Sequence, residues 1–252
     1  MIALLTGIAF GQEVTLGVGR IGVLDPGVVP REISTSASEV LDVVPSPPVV
    51  LLVGLKAGSS TVTIASDSGL VTYAVRVEAA STVAPSGGPG LAPAGDALEL
   101  PLGVGAVCRI PQATSLTRVD DPYAQVHAFG TNRYFVQVDR AGRADVAFET
   151  GRSAPRVLTV AALIGAAKPV PTGCTIPTET ITVPAGGTTE VTVGKRVAAF
   201  LVGTPTMLHV VTIDNTDRLR LSGIRAGTTT LVVRSGDDDD PWMRTVVVAP
   251  AQ

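Results

Sequence analysis

The clearest motif that could do chemistry is a glycine pattern near the N-terminus. Gly17, Gly19 and Gly22 spell G-x-G-x-x-G, and Glu39 follows at about the spacing of the acidic residue in a dinucleotide fingerprint. In that fingerprint the third glycine opens a helix whose N-terminus holds the pyrophosphate. Here 25–27 reads Asp-Pro-Gly, which predicts a turn, and no helical pattern follows. We therefore interpret the glycines as part of a β-strand that they make locally more flexible, and not as a nucleotide site.

Four consecutive carboxylates form a second candidate site, and they lie directly before Pro241: Asp237, Asp238, Asp239 and Asp240. Carboxylate oxygens are ligands that calcium prefers, but the run lacks the spaced pattern of a calcium-binding hand. Adjacent residues in an extended segment also point in opposite directions, so they do not all converge. The sequence leaves two interpretations, a weak calcium site and a solvated loop between two strands.

Histidine, the usual general base, occurs only twice. His127 and His209 follow valines in segments of alternating polarity, which favours half-buried positions on strands. No motif places a nucleophile beside either residue, and Asp67-Ser68-Gly69 between two strand patterns indicates a hairpin tip. A catalytic triad would have to be assembled across modules. We predict no catalytic residue, no cofactor and no enzymatic activity.

The cysteines and the charge exclude further classes of function. Cys108 and Cys174 are too far apart for a close-spaced metal or redox motif, which leaves one structural disulfide or two free buried thiols. The net charge is -3, from 19 basic and 22 acidic side chains, and no basic stripe is present. We therefore expect no nucleic-acid partner, because such partners require a series of cations to neutralise phosphates.

The N-terminus carries a short apolar run, Ile2–Phe10, followed by small residues at the positions that a signal peptidase reads. We interpret residues 1–11 as the remnant of a signal peptide cleaved before Gln12, although no Lys or Arg precedes the run. The alternative is a buried first strand. The run is too short to span a bilayer, and no later segment resembles a membrane helix.

The elements that would position any site are β-strands. Valine and threonine are frequent, and their stiff β-branched side chains suit a pleated strand. Apolar and polar residues alternate at 61–64, 71–77, 135–138 and 219–221. No window of helical length keeps an apolar stripe, so the pattern predicts an all-β protein.

Internal repetition organises these strands. A basic residue, Ala, Gly, three small or polar residues and an alternating strand recur at 56–64, 140–148 and 225–233. The shared glycines are Gly58, Gly142 and Gly227, spaced 84 and 85 residues apart. We interpret each glycine as a turn residue, because glycine adopts positive φ without steric cost.

Each copy has an apolar strand before the motif and another after it, which predicts three small modules. We assign module 1 to residues 12–78, module 2 to 98–160 and module 3 to 178–252. The Ala-, Pro- and Gly-rich stretches 79–97 and 161–177 are predicted linkers. Room for six or seven short strands per module favours tandem immunoglobulin-like (Ig-like) antiparallel sandwiches, without the Cys-Trp-Cys markers of antibody domains.

The first module resembles the N-terminal domain of pilus-assembly secretins, on the segments 16–24, 29–34, 39–44 and 51–62. That domain carries a Gly-x-x-x-Gly-x-Thr hairpin, which Gly54 and Gly58 match, as do Gly223 and Gly227 in the third module. The chain is also similar to the Ig-like repeats of bacterial surface proteins. The resemblance covers 14–78 and 179–248, and the middle module departs from it with Val138 in place of the first hairpin glycine.

The resemblance implies a non-enzymatic structural or docking protein of the bacterial envelope. In secretins this domain precedes a pore-forming region, which the sequence does not contain, so we expect an accessory of a pilus or secretin assembly. Its expected partners are envelope proteins, such as an outer-membrane secretin or pilus components, and further copies of itself. We expect it to be exported to the periplasm or associated with the outer membrane. The alternative is a cell-surface adhesin or carbohydrate-binding array, although five Phe, three Tyr and one Trp leave little stacking surface for sugars.

Overall fold

A computed structural model describes residues 9–79, 97–113, 115–118, 124–150, 153–162, 169–214, 216–236 and 240–251. Within those residues every regular element is a β-strand, which confirms the predicted all-β class. No helix in this described part is long and apolar enough to cross a membrane. Most of the predicted signal remnant 1–11 lies outside the described residues, as does nearly all of the predicted linker 79–97.

The first repeat is a two-sheet sandwich of seven strands. They are β1 (Ala9–Gly17), β2 (Ile21–Leu24), β3 (Glu32–Thr35), β4 (Leu41–Ser46), β5 (Val49–Gly54), β6 (Gly58–Ser66) and β7 (Gly69–Glu78). One sheet has the order β1-β7-β6-β3 and the other has the order β2-β5-β4. Inward side chains from both sheets share one core that includes Leu16, Leu41, Leu52, Ile64 and Val75. This arrangement is an Ig-like sandwich.

The third repeat has the same architecture. Its strands are β16 (Thr180–Pro184), β17 (Thr188–Thr192), β18 (Ala199–Val202), β19 (Leu208–Ile213), β20 (Arg218–Gly223), β21 (Gly227–Arg234) and β22 (Trp242–Ala249). The sheets run β16-β22-β21-β18 and β17-β20-β19, strand for strand the order found in the first repeat. Val183, Leu219, Leu221, Leu231 and Val246 lie in its core.

The middle repeat supplies the equivalent strands β8 (Ala97–Leu100), β9 (Gly105–Arg109), β10 (Ser115–Arg118), β11 (Ala124–Ala128), β12 (Arg133–Val138), β13 (Arg143–Thr150) and β14 (Ser153–Ala162). The orders β10-β13-β14 and β11-β12-β9 correspond to β3-β6-β7 and β4-β5-β2. A short strand, β15 (Cys174–Thr175), lies within the stretch 161–177 and pairs with β9. The repeated topology explains why the sequence motif recurs at near-constant spacing.

Most of the described strand pairs are antiparallel, as predicted, but the first strand of the first and third repeats joins its sheet in parallel. β1 runs parallel to β7, and β16 runs parallel to β22. Five strands separate the two partners of each parallel pair in the sequence, so no hairpin constrains the direction in which they pair.

By its contacts, the chain forms two compact units. Unit 1 comprises Met1–Ala97, Gln112–Asp121 and Gly142–Val160, and unit 2 comprises Leu98–Pro111, Pro122–Ala141 and Ala161–Gln252. Unit 1 thus contains the first repeat with β10, β13 and most of β14. Unit 2 contains the third repeat with β9, β11, β12 and β15. Each unit therefore includes a junction between two repeats.

Candidate functional site

One glycine turn is built identically in all three repeats. The turns Gly17–Arg20, 101–104 and 184–187 each close with a hydrogen bond from the fourth residue's N–H to the first residue's carbonyl, at 3.0 to 3.1 Å. The third residue is Gly19, Gly103 or Gly186, with φ of +75°, +77° and +76°. Positive φ at this position is typical of a type II turn. The prediction that Gly19 lies within a strand was therefore wrong, because Gly19 lies in the turn between β1 and β2.

The hairpin glycines permit close packing. A Cβ atom on Gly54 would collide with the carbonyl oxygen of Gly17, and one on Gly223 would collide with that of Pro184. Each glycine carbonyl also accepts a hydrogen bond from the turn, from Gly19 N at 2.9 Å and from Gly186 N at 2.8 Å. In the middle repeat the carbonyl of Val138 accepts the equivalent hydrogen bond from Gly103 N at 2.8 Å. Val138 therefore occupies the position of Gly54 and Gly223 in the other two repeats.

The repeated glycines Gly58 and Gly227 begin β6 and β21, and Gly142 directly precedes β13. A Cβ on Gly58 would lie 2.9 Å from Val40 Cγ2, and one on Gly227 would lie 2.7 Å from Met207 Sδ. Gly227 also has φ of +153°. Close side-chain contact is thus a physical reason for glycine at positions 58 and 227. The positive φ expected from the sequence is present at Gly142 and Gly227 but not at Gly58.

A buried ion pair links the first repeat to β13 and β14 inside unit 1. The side chains of Arg20 and Asp145 are each 1% exposed, and Arg20 Nε lies 2.7 Å from Asp145 Oδ2. The same carboxylate accepts hydrogen bonds from Ile21 N at 3.0 Å and from Thr159 Oγ1 at 2.7 Å. Ile21, Val23 and Leu51 pack with Ala147 in one apolar cluster. The carboxylate is well satisfied, as a buried charge requires.

The junction inside unit 2 is the counterpart of this contact. Gly105 N donates to Thr230 Oγ1 at 2.8 Å, and the fully buried Gln137 donates from Nε2 to Thr204 Oγ1 at 2.7 Å. A Cβ on Gly203 would collide with Gln137 Oε1, so the contact requires glycine at position 203. The apolar part of the junction consists of Val107, Phe129, Phe135, Val232 and Met243.

Neither junction was anticipated from the sequence, although a signal existed. All six residues of β5, VVLLVG, and all six of β12, RYFVQV, are buried. A strand that packs on one face only would alternate in polarity, so the continuous apolar run of β5 indicates burial of both faces. β12 carries Arg133 and Gln137 among its apolar residues and gives no such signal.

The outer face of β17-β20-β19 in unit 2 is charged. Glu190 accepts hydrogen bonds from Arg220 at 3.0 Å and from Arg218, and all three side chains are between 40% and 51% exposed. The hydrogen bond from Arg220 is the main cause that lowers the pKa of Glu190 below its ordinary value, and Arg218 adds to it. The neighbouring Val211 on β19 is 38% exposed.

The two cysteines form a disulfide, with Cα atoms 3.9 Å apart. Cys174 of β15 lies directly opposite Cys108 of β9 in antiparallel register. The bond therefore fastens part of the stretch 161–177 to the sheet of the middle repeat, and this resolves the alternative of two free thiols.

The other candidate residues are dispersed. Asp237, Asp238 and Asp239 lie outside the described residues, and Asp240 is exposed with Oδ1 3.7 Å from Arg133 Nη2. The choice between a weak calcium site and a solvated loop therefore stays untested. His127 and His209 are exposed and not half-buried, because they occupy outward positions of β11 and β19. The predicted hairpin tip at 67–69 is confirmed between β6 and β7.

Residues 177–249, which contain the whole third repeat, match the family model described as the pilus formation protein N-terminal region. This confirms the resemblance found in the sequence, at its later segment. No curated protein matches the chain.

Solved structures of three kinds are similar at low identity. An endo-fucoidan hydrolase of glycoside hydrolase family 107 is 13% identical over 94% of this chain, with a TM-score of 0.24, and the chain spans 43% of its length. Domains 4 and 5 of the S-layer protein SbsC are 18% identical over 45% of this chain and 69% of theirs, with a TM-score of 0.24. The I9–I11 tandem of titin is 12% identical over 97% of this chain and 99% of its own, with a TM-score of 0.21. At such TM-scores these likenesses carry no argument about function.

Proposed function

We propose that the protein is a non-enzymatic structural and docking component of a bacterial envelope assembly related to pili, with the third repeat as its docking module. The observation that carries this proposal is the match of residues 177–249 to the pilus formation family. The buried junctions support it further, because they hold neighbouring repeats in fixed register within each unit. We also propose the three-module division and the periplasmic or outer-membrane location on this basis.

The proposed docking element is the edge strand β19. It is the last strand of the sheet β17-β20-β19 among the described residues. Leu208 and Val210 are buried, whereas His209 and Val211 are exposed. An edge strand with this alternation accepts a partner strand through main-chain hydrogen bonds, and the outward side chains select the partner. The proposed partner is an extended segment of a pilus or secretin subunit.

The test is a quantitative pull-down of the tagged protein from crosslinked cell envelopes, with Val211→Lys as the disrupting variant. A lysine on an edge strand opposes strand addition, because its charge must be desolvated by the incoming chain. Thr192→Lys on β17, the opposite edge of the same sheet, is the matched control. We expect the wild type and Thr192→Lys to recover secretin or pilus subunits, and we expect Val211→Lys to lose them.

Recovery of no envelope-assembly subunit by the wild type would overturn the proposed function. Equal recovery by Val211→Lys and the wild type would retain the envelope role but overturn β19 as the docking element. Circular dichroism of both variants checks that each is folded.

A further inference from the structure

The two junctions between repeats follow one geometric rule. Ile21 N donates to Asp145 in unit 1 at 3.0 Å, and Gly105 N donates to Thr230 in unit 2 at 2.8 Å. Ile21 and Gly105 each begin the second strand of their repeat. Asp145 and Thr230 lie at equivalent positions of β13 and β21. A junction therefore joins the second-strand sheet of one repeat to the outer face of the sixth strand in the next.

Both halves of such a junction are also present on exposed surfaces. Thr61 of β6 is the equivalent of Asp145 and Thr230, and it is exposed beside Ser59 and Ala74. An open depression lies over this face of unit 1. In unit 2, Thr188 of β17 is the equivalent of Ile21 and Gly105, and it too is exposed.

The charges on the two exposed faces are complementary. The first of these faces is formed by β1, β7 and β6 of the first repeat. It carries Arg76 between the acidic residues Glu13 and Glu78, with Arg76 Nε 3.8 Å from Glu78 Oε1. The face of β17-β20-β19 carries the opposite pattern, Glu190 between Arg218 and Arg220. Opposite patterns attract when they face each other and also fix the orientation of approach.

We propose that a second copy of this chain docks head to tail, with its β1-β7-β6 face on the β17-β20-β19 face of the first copy. This contact reproduces between copies the junction that the protein contains twice. It is heterologous, so each added copy leaves one face of each kind for the next.

The contact between copies is reversible and sensitive to salt. Glu190 and Arg220 replace Val23 and Leu51, the facing pair at the equivalent positions of the first repeat. In unit 1 that pair packs in an apolar cluster. Charged side chains that are half exposed in the free protein are screened by ions, so added salt weakens their attraction.

The test is sedimentation of the purified chain over a concentration series at low and high salt. We expect mass to grow with concentration beyond a dimer, and the association to weaken about tenfold or more at high salt. Thr61→Arg blocks one face and Arg220→Glu reverses a charge on the other, so each variant alone is expected to lose association. Ser68→Arg, at the exposed tip of the β6–β7 hairpin, is the matched control and should associate like the wild type.

Mixing the two face variants gives the decisive measurement. Thr61→Arg retains the third-repeat face and Arg220→Glu retains the first-repeat face, so their mixture has one intact pair of faces. We expect a heterodimer that stops at two chains and that neither variant forms alone. A monomer at all concentrations would overturn the proposal. Association that survives both variants, or a mixture that stays monomeric, would overturn it as well. Purified protein is used throughout, so the result is independent of the envelope pull-down.

Discussion

Two kinds of ion pair in this protein differ in environment by a wide margin. Arg20 and Asp145 are each 1% exposed, whereas Arg31 and Asp67 pair at 2.6 Å with 69% and 74% of their side chains exposed. Removing one partner of a buried pair leaves an uncompensated charge in the interior, which costs far more than losing an exposed pair. The buried pair therefore makes the fixed register of unit 1 depend on two side chains.

We expect Asp145→Ala to destabilise unit 1 by about 3–5 kcal/mol, because the Arg20 guanidinium then remains buried without its carboxylate. The matched control Asp67→Ala should cost about 1 kcal/mol or less, since Arg31 stays solvated. Urea denaturation at neutral pH, followed by circular dichroism, measures both values. Equal midpoints for the two variants would contradict the buried geometry.

At the scale of the elements, the sequence was sufficient to predict strands and their repetition. The alternation at 61–64 and 219–221 was found in β6 and β20, because half-buried strands must alternate in polarity. The alternation at 135–138 falls on a strand, β12, but all six residues of that strand are buried. The turn at Gly19 was not predicted. Its signal was the recurrence of glycine at 19, 103 and 186, at nearly the spacing of the repeated motif, and it was obscured by the dinucleotide-like pattern around it.

The junctions could not be predicted because their partners are distant in the chain. Arg20 and Asp145 are separated by 125 residues, and no local pattern relates them. Only the continuous apolar run of β5 indicated that its outer face is covered. The identity of the covering strands depends on tertiary packing, which periodicity does not encode.

The disulfide permits a prediction for β15. The bond closes a loop with a sequence separation of 66 residues. We expect the double variant Cys108→Ala and Cys174→Ala to lose about 2–4 kcal/mol, because the unfolded chain regains the entropy of that loop. Hydrogen exchange should then speed up at Thr175 and Val107, which pair in β15 and β9. The β20–β21 hairpin is the internal reference, and equal acceleration there would contradict a local role for the disulfide.

At the scale of the whole molecule, one pair of facing positions is apolar in two repeats and charged in the third. The facing pair is Val23 with Leu51 in the first repeat, Val107 with Phe135 in the middle repeat and Glu190 with Arg220 in the third. The first two pairs lie in apolar clusters at junctions, and the third pair is exposed. The polarity of this pair therefore follows whether another repeat covers it.

This rule gives a test on a chain shortened to residues 1–177, which lacks the third repeat. Removal of Val232 and Met243 exposes Val107, Phe129 and Phe135. An exposed apolar patch of this kind promotes association and binds hydrophobic dyes. We expect the shortened chain to aggregate and to bind anilinonaphthalene sulfonate. The full-length protein, measured at the same concentration, should do neither to the same extent.

Substitutions copied from the third repeat should suppress the aggregation of the shortened chain. Val107→Glu with Phe135→Arg transfers the Glu190 and Arg220 pair onto the equivalent positions of the shortened chain. We expect this double variant to suppress both aggregation and dye binding, because a solvated ion pair then replaces the uncovered apolar pair. The same substitutions in the full-length protein should instead destabilise it, since the two charges would be buried against Val232 and Met243. If the substitutions improve neither property of the shortened chain, the polarity of this pair does not mark whether the face is covered.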